Sequence, residues 1–234
     1  MYKNNKILVT VCARGGSKGV KNKNIRLLNN KPLICHTLDI LKESPFIDDY
    51  VISSDSDEII KTVREYGYEV YFKRPKHLAA DKVGRIEAIR HALKWMEVNR
   101  KIKYEIIADL GVATPLKTEK DLEGCVRLLI DKKASNVFSV AVAQRNPYYN
   151  MIELKGGKVK IVKELPREVS DRRDAPVVYS LNDGLNVWRR PALFSRQPFF
   201  PAASKIYVMP RERSIDIDEE IDFKIAECLI REGR

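Results

Sequence analysis

Along the first 142 residues, short apolar runs rich in β-branched side chains alternate with stretches of helical spacing. "KILVTVC" reads as a strand buried on both faces, and "KPLICHTLDILKE" follows it with Leu33, Ile34, Leu38 and Leu41 near helical spacing. "DYVISSD" is expected to be a second strand. "SDEIIKTVREYG" is expected to be a helix capped by Ser56 and stopped at Gly67. "EVYFKR" reads as a third strand, Ile86, Ile89, Leu93 and Met96 mark the next helix, and "EIIADL" gives a fourth strand. Thr118 and Asp121 form a capping-box pattern at the start of a helix to about Lys132, before "NVFSVAVA" as a fifth strand. Such alternation implies right-handed crossovers and an α/β fold with a doubly wound, mostly parallel, Rossmann-like sheet.

From about residue 145 the rhythm changes. "LKGGKVKIV" resembles a hairpin, and "REVSDRRDAP" reads as a loop. With no core pattern of its own, the segment of about 145–190 is expected to be a flap or dimerisation insertion in a single domain spanning 1–234. "KIYVMP", "RSIDID" and an amphipathic helix from about Glu219 close the chain.

Between the first strand and the first helix lies "ARGGSKGVKNKN", three glycines and four basic side chains in one turn. In doubly wound sheets ligands bind beyond the carboxyl ends of the strands, which is where this turn falls. Backbone N–H groups of such a turn can approach a phosphate, and the basic side chains supply countercharge. Gly15, Gly16 and Gly19 are spaced G-G-x-x-G, which is neither the P-loop nor the dinucleotide-binding pattern. A solvated basic loop is the alternative from spacing alone.

Asp216 and Asp218, one residue apart in "RSIDIDEEIDF", would point to one face of an extended strand, with Ile215 and Ile217 on the other. Two hard oxygen donors suit Mg²⁺, which binds through one or two carboxylates plus substrate phosphates. Held ~4 Å apart without a cation they would repel by about 4 kcal/mol at an effective dielectric near 20. Two exposed acids at a strand end are the alternative.

The formal net charge of +11, from 43 Lys+Arg against 32 Asp+Glu, favours anionic partners. Basic residues are spread along the chain with no reading helix, which disfavours a nucleic-acid-binding protein. Cys12, Cys35, Cys125 and Cys228 lie far apart, so neither a disulfide framework nor a zinc site is expected. His36, His77 and His91 are isolated and read as helix or loop residues. No segment has the length of a membrane span and the N-terminus suits a strand, so a soluble cytoplasmic protein is expected.

Taken together, "ARGGSKGVKNKNI", "KPLI", "SSDSDEI", "KRP", "LAAD", "ATPLKT" and "RSIDIDEEIDF" resemble the acylneuraminate cytidylyltransferases, over nearly the whole chain and in consistent order. The resemblance implies transfer of CMP from CTP to the anomeric hydroxyl of a nine-carbon 2-keto acid sugar, with release of pyrophosphate. It also implies Mg²⁺ and a homodimer in which the partner subunit covers the sugar site. Ala13, Arg14, Gly15, Gly16, Ser17, Lys23 and Asn24 match the turn around the CTP phosphates, and Arg74 matches a nucleotide-site arginine. Lys23, Arg14 and Asp218 are the residues implied to act in catalysis, and Asp216 and Asp218 match the metal pair.

The sugar side departs from the sialic acid enzymes. Gly111 stands where a sugar-contacting glutamine is expected, Tyr149 where lysine is common, and Asn186 at a tyrosine position. Phe199 and Phe200 match an aromatic pair of the sugar pocket. These changes imply a different acidic sugar, and "RNPYYNM" and "NVWRR" look more like the legionaminic acid branch. The 3-deoxy-manno-octulosonate cytidylyltransferases share fold and chemistry but normally lack the G-G-S-K-G turn.

Overall fold

In the computed structural model, all residues are described except Met1, Lys3, Ser17, Lys18, Asp81, Lys82, Glu168 and Arg234. The first apolar run forms β1 (Ile7–Cys12). Its side chains alternate between two cores: Ile7, Val9 and Val11 face one, Leu8 the other. That double burial is why the run lacks polar alternation.

A small hairpin of β2 (Leu27–Leu28) and β3 (Lys31–Pro32) precedes α1 (Leu33–Glu43), which leads to β4 (Asp49–Ser53). Helix α2 (Asp57–Glu65) starts where expected, with Ser56 Oγ accepting from Ile59 N–H at 3.4 Å. Next come α3 (Arg85–Arg100), β5 (Ile106–Leu110), α4 (Glu119–Asp131) and β6 (Asn136–Val142). The capping box of Thr118 and Asp121 is present at the start of α4. The exposed hairpin is β7 (Ile152–Lys155) with β8 (Lys158–Ile161). The remaining elements are β9 (Tyr179–Arg189), the single turn α5 (Arg190–Leu193), β10 (Ser204–Val208) and α6 (Glu220–Arg231).

The main sheet runs β10-β6-β9-β5-β1-β4. β1 pairs in parallel with β4 and β5, and β10 in parallel with β6, whereas β9 is antiparallel to both its neighbours. Leu38, Ile59, Leu122, Val126 and Phe223 cover one face, and Ile86, Ile89, Leu93, Met96 and Leu193 the other. The expected doubly wound, mostly parallel sheet is therefore the fold.

Three sequence expectations need correction. "EVYFKR" is not a strand: a single parallel bridge joins Ser54 to Lys73. Its backbone is claimed by side chains instead, since Tyr50 Oη accepts from Glu69 N–H at 3.2 Å and Val70 C=O accepts from Arg64 Nη2 at 3.1 Å. Tyr71 and Phe72 meanwhile pack on Trp95 of α3.

The insertion expected over about 145–190 ends earlier, because Tyr179–Arg189 is a strand deep in the main sheet. "NDG" hides it. The ladder shifts register between Phe138 and Val140, Asp183 is left-handed at φ 47°, and Ser139 Oγ spans the break by accepting from Leu185 N–H and donating to Asn182 Oδ1.

Residues 215–218 do not join a ladder either. Ile217 N–H donates instead to Ala113 C=O in the turn after β5, at 2.8 Å, with the Ile217 side chain fully buried.

Candidate active site

The glycine turn continues directly from β1 at the carboxyl end of the sheet. Ala13 is buried and its N–H donates to Ser53 C=O at 3.0 Å, so the turn leaves the sheet alongside β4. Gly15 N–H donates to Asp55 Oδ1 at 3.1 Å, while nothing lies within 4 Å of a Cβ built on Gly16. Asn24 is buried, and its Nδ2 donates to Arg14 C=O at 2.9 Å, which ties the end of the turn to its start. Asn24 therefore shapes the turn, and Ser17, expected within the cradle, lies outside the described residues.

Gly19 explains why the turn carries its third glycine. A Cβ there would stand 2.2 Å from the carbonyl oxygen of Asp218, so only glycine lets the turn lie against the acidic segment. Lys23 closes the same contact from the other side, its Nζ donating to Ile217 C=O and, at 3.2 Å, to Asp218 Oδ1. Two motifs almost two hundred positions apart thus form one surface.

Beside the turn opens a cavity of ≈ 320 Å³ whose lining includes Arg14, Arg74, Leu78, Val83, Arg85 and Ala88. Arg74 is buried and largely committed: Nε donates to Ser53 Oγ at 2.9 Å, and Nη2 to Ser53 C=O and, at 3.4 Å, to Ala13 C=O. It thus braces the root of the turn while forming part of the cavity wall. Aliphatic side chains and three arginines line this cavity together, a mixture suited to a nucleotide, whose base is largely apolar and whose phosphates are anionic.

Asp216, Asp218 and Asp183 supply the negative side. Burial, then the charges of Asp218 and Asp183, push the Asp216 carboxyl up to about 6, against the pull of Lys23 and Arg85. Asp216 Oδ1 is buried without a hydrogen-bond partner. An orphaned carboxylate oxygen under like-charge repulsion is what a hard cation would relieve, so this pair fits Mg²⁺. No group of three or more His, Cys, Asp or Glu that could hold a metal occurs among the described residues, so such an ion would complete its shell with substrate oxygens and water.

Four further charged residues that the sequence reading did not single out meet here. Asp109, inside the apolar run "EIIADL", accepts from Thr10 Oγ1 at 2.7 Å and lies 2.7 Å from Arg85 Nε. Burial raises its carboxyl, and Arg85 and Thr10 oppose that. Lys117 is buried, its Nζ donating to Thr37 Oγ1, Gly111 C=O and Thr114 C=O at 2.9, 2.6 and 2.8 Å. Burial, followed by the charge of Arg85, lowers its ammonium to about 7. Asp183 reaches the site only because β9 breaks register there. A charge inside an apolar strand was the one available clue, and it points to Asp109 alone.

The residues expected on the sugar side separate. A Cβ on Gly111 would stand 1.9 Å from Asp183 C=O, so the missing side chain makes room for the β9 break. Asn186 is buried on β9, across from Asp109 on β5 and Phe138 on β6. Phe200 meets the same Phe138 edge-on at 5.4 Å, and both Phe199 and Phe200 are exposed. Tyr149 lines a different cavity, of ≈ 290 Å³, with Tyr148, Lys163 and Arg167 of the flap.

The cytidylyltransferase family profile matches residues 8–225, which takes in the glycine turn and the acidic pair alike. The chain belongs to the cytidylyltransferase family. It is 38% identical over 226 residues to the post-translational flagellin modification protein B of Campylobacter coli, covering 97% of this chain and 95% of that protein. It is also 38% identical over 224 residues to the CMP-N,N'-diacetyllegionaminic acid synthase of Campylobacter jejuni subsp. jejuni serotype O:2, covering 96% and 94%. Among solved structures, the CMP:2-keto-3-deoxy-manno-octonic acid synthetase complexed with CTP superposes with a TM-score of 0.69 at 13% identity, over 98% of this chain and 100% of that one. At that identity the likeness speaks for the fold.

Proposed function

We propose that this cytidylyltransferase transfers CMP from CTP to the anomeric hydroxyl of a nine-carbon acidic 2-keto sugar of the legionaminic type, releasing pyrophosphate. The observation that carries the reading is the join of the glycine turn to the acidic segment, through Lys23 to Asp218 and Gly19 against its backbone. The 38% identity to a CMP-N,N'-diacetyllegionaminic acid synthase supports the choice of sugar.

In this reading Gly16, Arg14 and Lys23 hold the triphosphate and stabilise the charge that develops on the leaving pyrophosphate, while Gly15, its N–H taken by Asp55, shapes the turn. Lys23 sits between phosphates and acid, so it orients one while neutralising the other. Asp216 and Asp218 would hold Mg²⁺, which when bound supplies Lewis-acid polarisation of phosphate oxygens and of the attacking hydroxyl. Lys117 holds Gly111 and Thr114 in place, and Ala113 between them anchors Ile217, so the acids keep a fixed distance from the sheet.

A homodimer is part of the proposal. Val177, Tyr179, Leu181 and Val142 are exposed around the paired ends of β9 and β6, and Ile152, Leu154 and Val159 of the hairpin are exposed too. Apolar exposure of that extent suits a second copy. No described helix is long and apolar enough to cross a membrane, and use of CTP accords with a cytoplasmic site.

Pyrophosphate release with CTP and Mg²⁺ tests the reading. N,N'-diacetyllegionaminate, pseudaminate, N-acetylneuraminate and 3-deoxy-manno-octulosonate are supplied singly, with and without EDTA. Release with the first acid, abolished by EDTA and strongly reduced by Lys23→Ala, is expected. Preference for the eight-carbon acid would overturn the sugar assignment.

A further inference from the structure

We infer that Arg85 holds the carboxylate of the acceptor sugar, an assignment that rests on the acidic-sugar reading above. Arg85 opens helix α3 and forms part of the wall of the ≈ 320 Å³ cavity. Its Nε lies 2.7 Å from Asp109 Oδ2, and the other oxygen of Asp109 is fixed by Thr10 at 2.7 Å. On its far side, Nη1 comes 3.5 Å from where a Cβ on Gly111 would stand. The guanidinium therefore sits in the cavity wall alongside Gly111, just past the carboxyl end of β5.

Its donors are not spent. Although Nε is close to Asp109, neither Nε nor Nη2 has a hydrogen-bond partner, and Asp109 Oδ2 has none either. The contact is charge against charge, without the aligned fork that arginine makes with a carboxylate. Neighbouring cations are committed differently: Lys117 gives its bonds to Thr37, Gly111 and Thr114, Arg74 braces Ser53 and Ala13, and Lys23 is on the acidic segment. With Asp183 and Asp216 both within electrostatic range of Arg85, an incoming acid would otherwise meet a negative surface.

Chemistry selects the ligand atom. The phosphates have the glycine turn, which leaves β1 and lies against Asp218, whereas Arg85 stands by β5 and Gly111. In a 2-keto acid sugar the carboxylate is attached to the same carbon as the attacking hydroxyl. A planar two-pronged grip on that carboxylate fixes the hydroxyl on the adjoining carbon, and arginine is the side chain whose donor geometry matches.

The test uses the full-length protein with Arg85→Lys and with the double variant Arg85→Gln/Asp109→Asn, which removes both members of the ion pair and leaves no unpaired buried charge. Acceptor KM, CTP KM and calorimetric CTP affinity without acceptor are measured, and the acid is compared with its methyl ester. The expected result is an acceptor KM raised about 10- to 100-fold in the double variant. CTP affinity stays within about twofold of wild type, and the wild-type preference for acid over ester collapses. Arg85→Lys keeps a point charge without the fork and should fall between. Weakened CTP binding with an unchanged acceptor KM would assign Arg85 to the nucleotide and overturn the inference. So would unchanged constants throughout, which would leave the pair a structural one. Wild-type protein silent with every acid would sink the acidic-sugar reading itself, and that result appears before any substitution is made.

Discussion

Lys23 Nζ stands 3.2 Å from Asp218 Oδ1, a contact spanning 195 positions that joins the turn after the first strand to the segment before the last helix. The lysine side chain is largely buried and the aspartate largely exposed, so the pair presents the anion outward and keeps the cation beneath it. A metal ion arriving at this surface would meet the aspartate first, with the lysine charge beneath it.

Lys23→Ala should lower kcat/KM about 10²- to 10³-fold, as expected when one charge-stabilising donor is lost at a transition state. Thermal stability should change little, because the exposed partner is easily rehydrated. Retained turnover in a steady-state pyrophosphate assay would refute the assignment of this lysine to the phosphates.

Gly19→Ala tests the backbone contact separately from charge. Its Cβ would overlap Asp218 C=O at 2.2 Å, so the turn and the acidic segment must part. Turnover should fall at least about tenfold and the apparent affinity for Mg²⁺ should weaken, whereas circular dichroism should match wild type. Gly16→Ala, which meets nothing within 4 Å, is the control for loss of a neighbouring glycine.

Asp216→Asn should stabilise the protein and inactivate it. The Asp216 carboxyl is raised to about 6 by burial and by Asp218 and Asp183. Because its folded pKa lies above the unfolded one, its contribution is favourable when protonated at low pH and is lost as pH rises through about 6. In metal-free buffer at neutral pH the substitution should add about 1–2 kcal/mol in denaturant unfolding. At pH 4, where wild-type Asp216 is largely protonated in the fold, the gain should vanish. A gain that persists there would point to another cause.

Asp121 sets an acid limit. Its side chain is fully buried, and although burial raises the carboxyl, Arg213 at 3.0 and 2.8 Å together with Thr118 outweighs it and holds the group below its usual range. That stability is present above the ordinary aspartate pKa and is lost as pH falls through the depressed one. Arg213→Met, which strands a buried carboxylate, should cost about 3 kcal/mol at pH 7. The deficit should shrink towards pH 3 as the stranded acid takes up a proton, and a deficit independent of pH would contradict the ion-pair account.

Much of the sheet was legible because burial on both faces leaves a local mark. β1 is an almost unbroken apolar run, β5 and β6 are mostly apolar, and Ser56 and Thr118 cap α2 and α4 by local hydrogen bonds that need no distant partner. "EVYFKR" misled for the complementary reason. Its β-branched and aromatic composition is that of a strand, yet Tyr50 and Arg64 take its backbone groups and α3 takes its rings. Strand β9 escaped notice because Asn182, Asp183 and Gly184 look like a turn, and only the break opposite Ser139 keeps them in the sheet.

Helices α1 to α4, strands β1, β4, β5 and β6, the cationic glycine turn and the acidic pair were legible in the sequence alone, since each rests on periodicity or composition within about a dozen residues. Tertiary structure decided what meets what. It placed β9 antiparallel between β5 and β6, brought Asp183 against Gly111, and set Arg85 on Asp109 in the wall of the cavity beside the glycine turn. Such contacts depend on ladder register and on single backbone hydrogen bonds such as Ile217 to Ala113. Those are fixed by the packing of the whole sheet, so no local stretch of the chain encodes them.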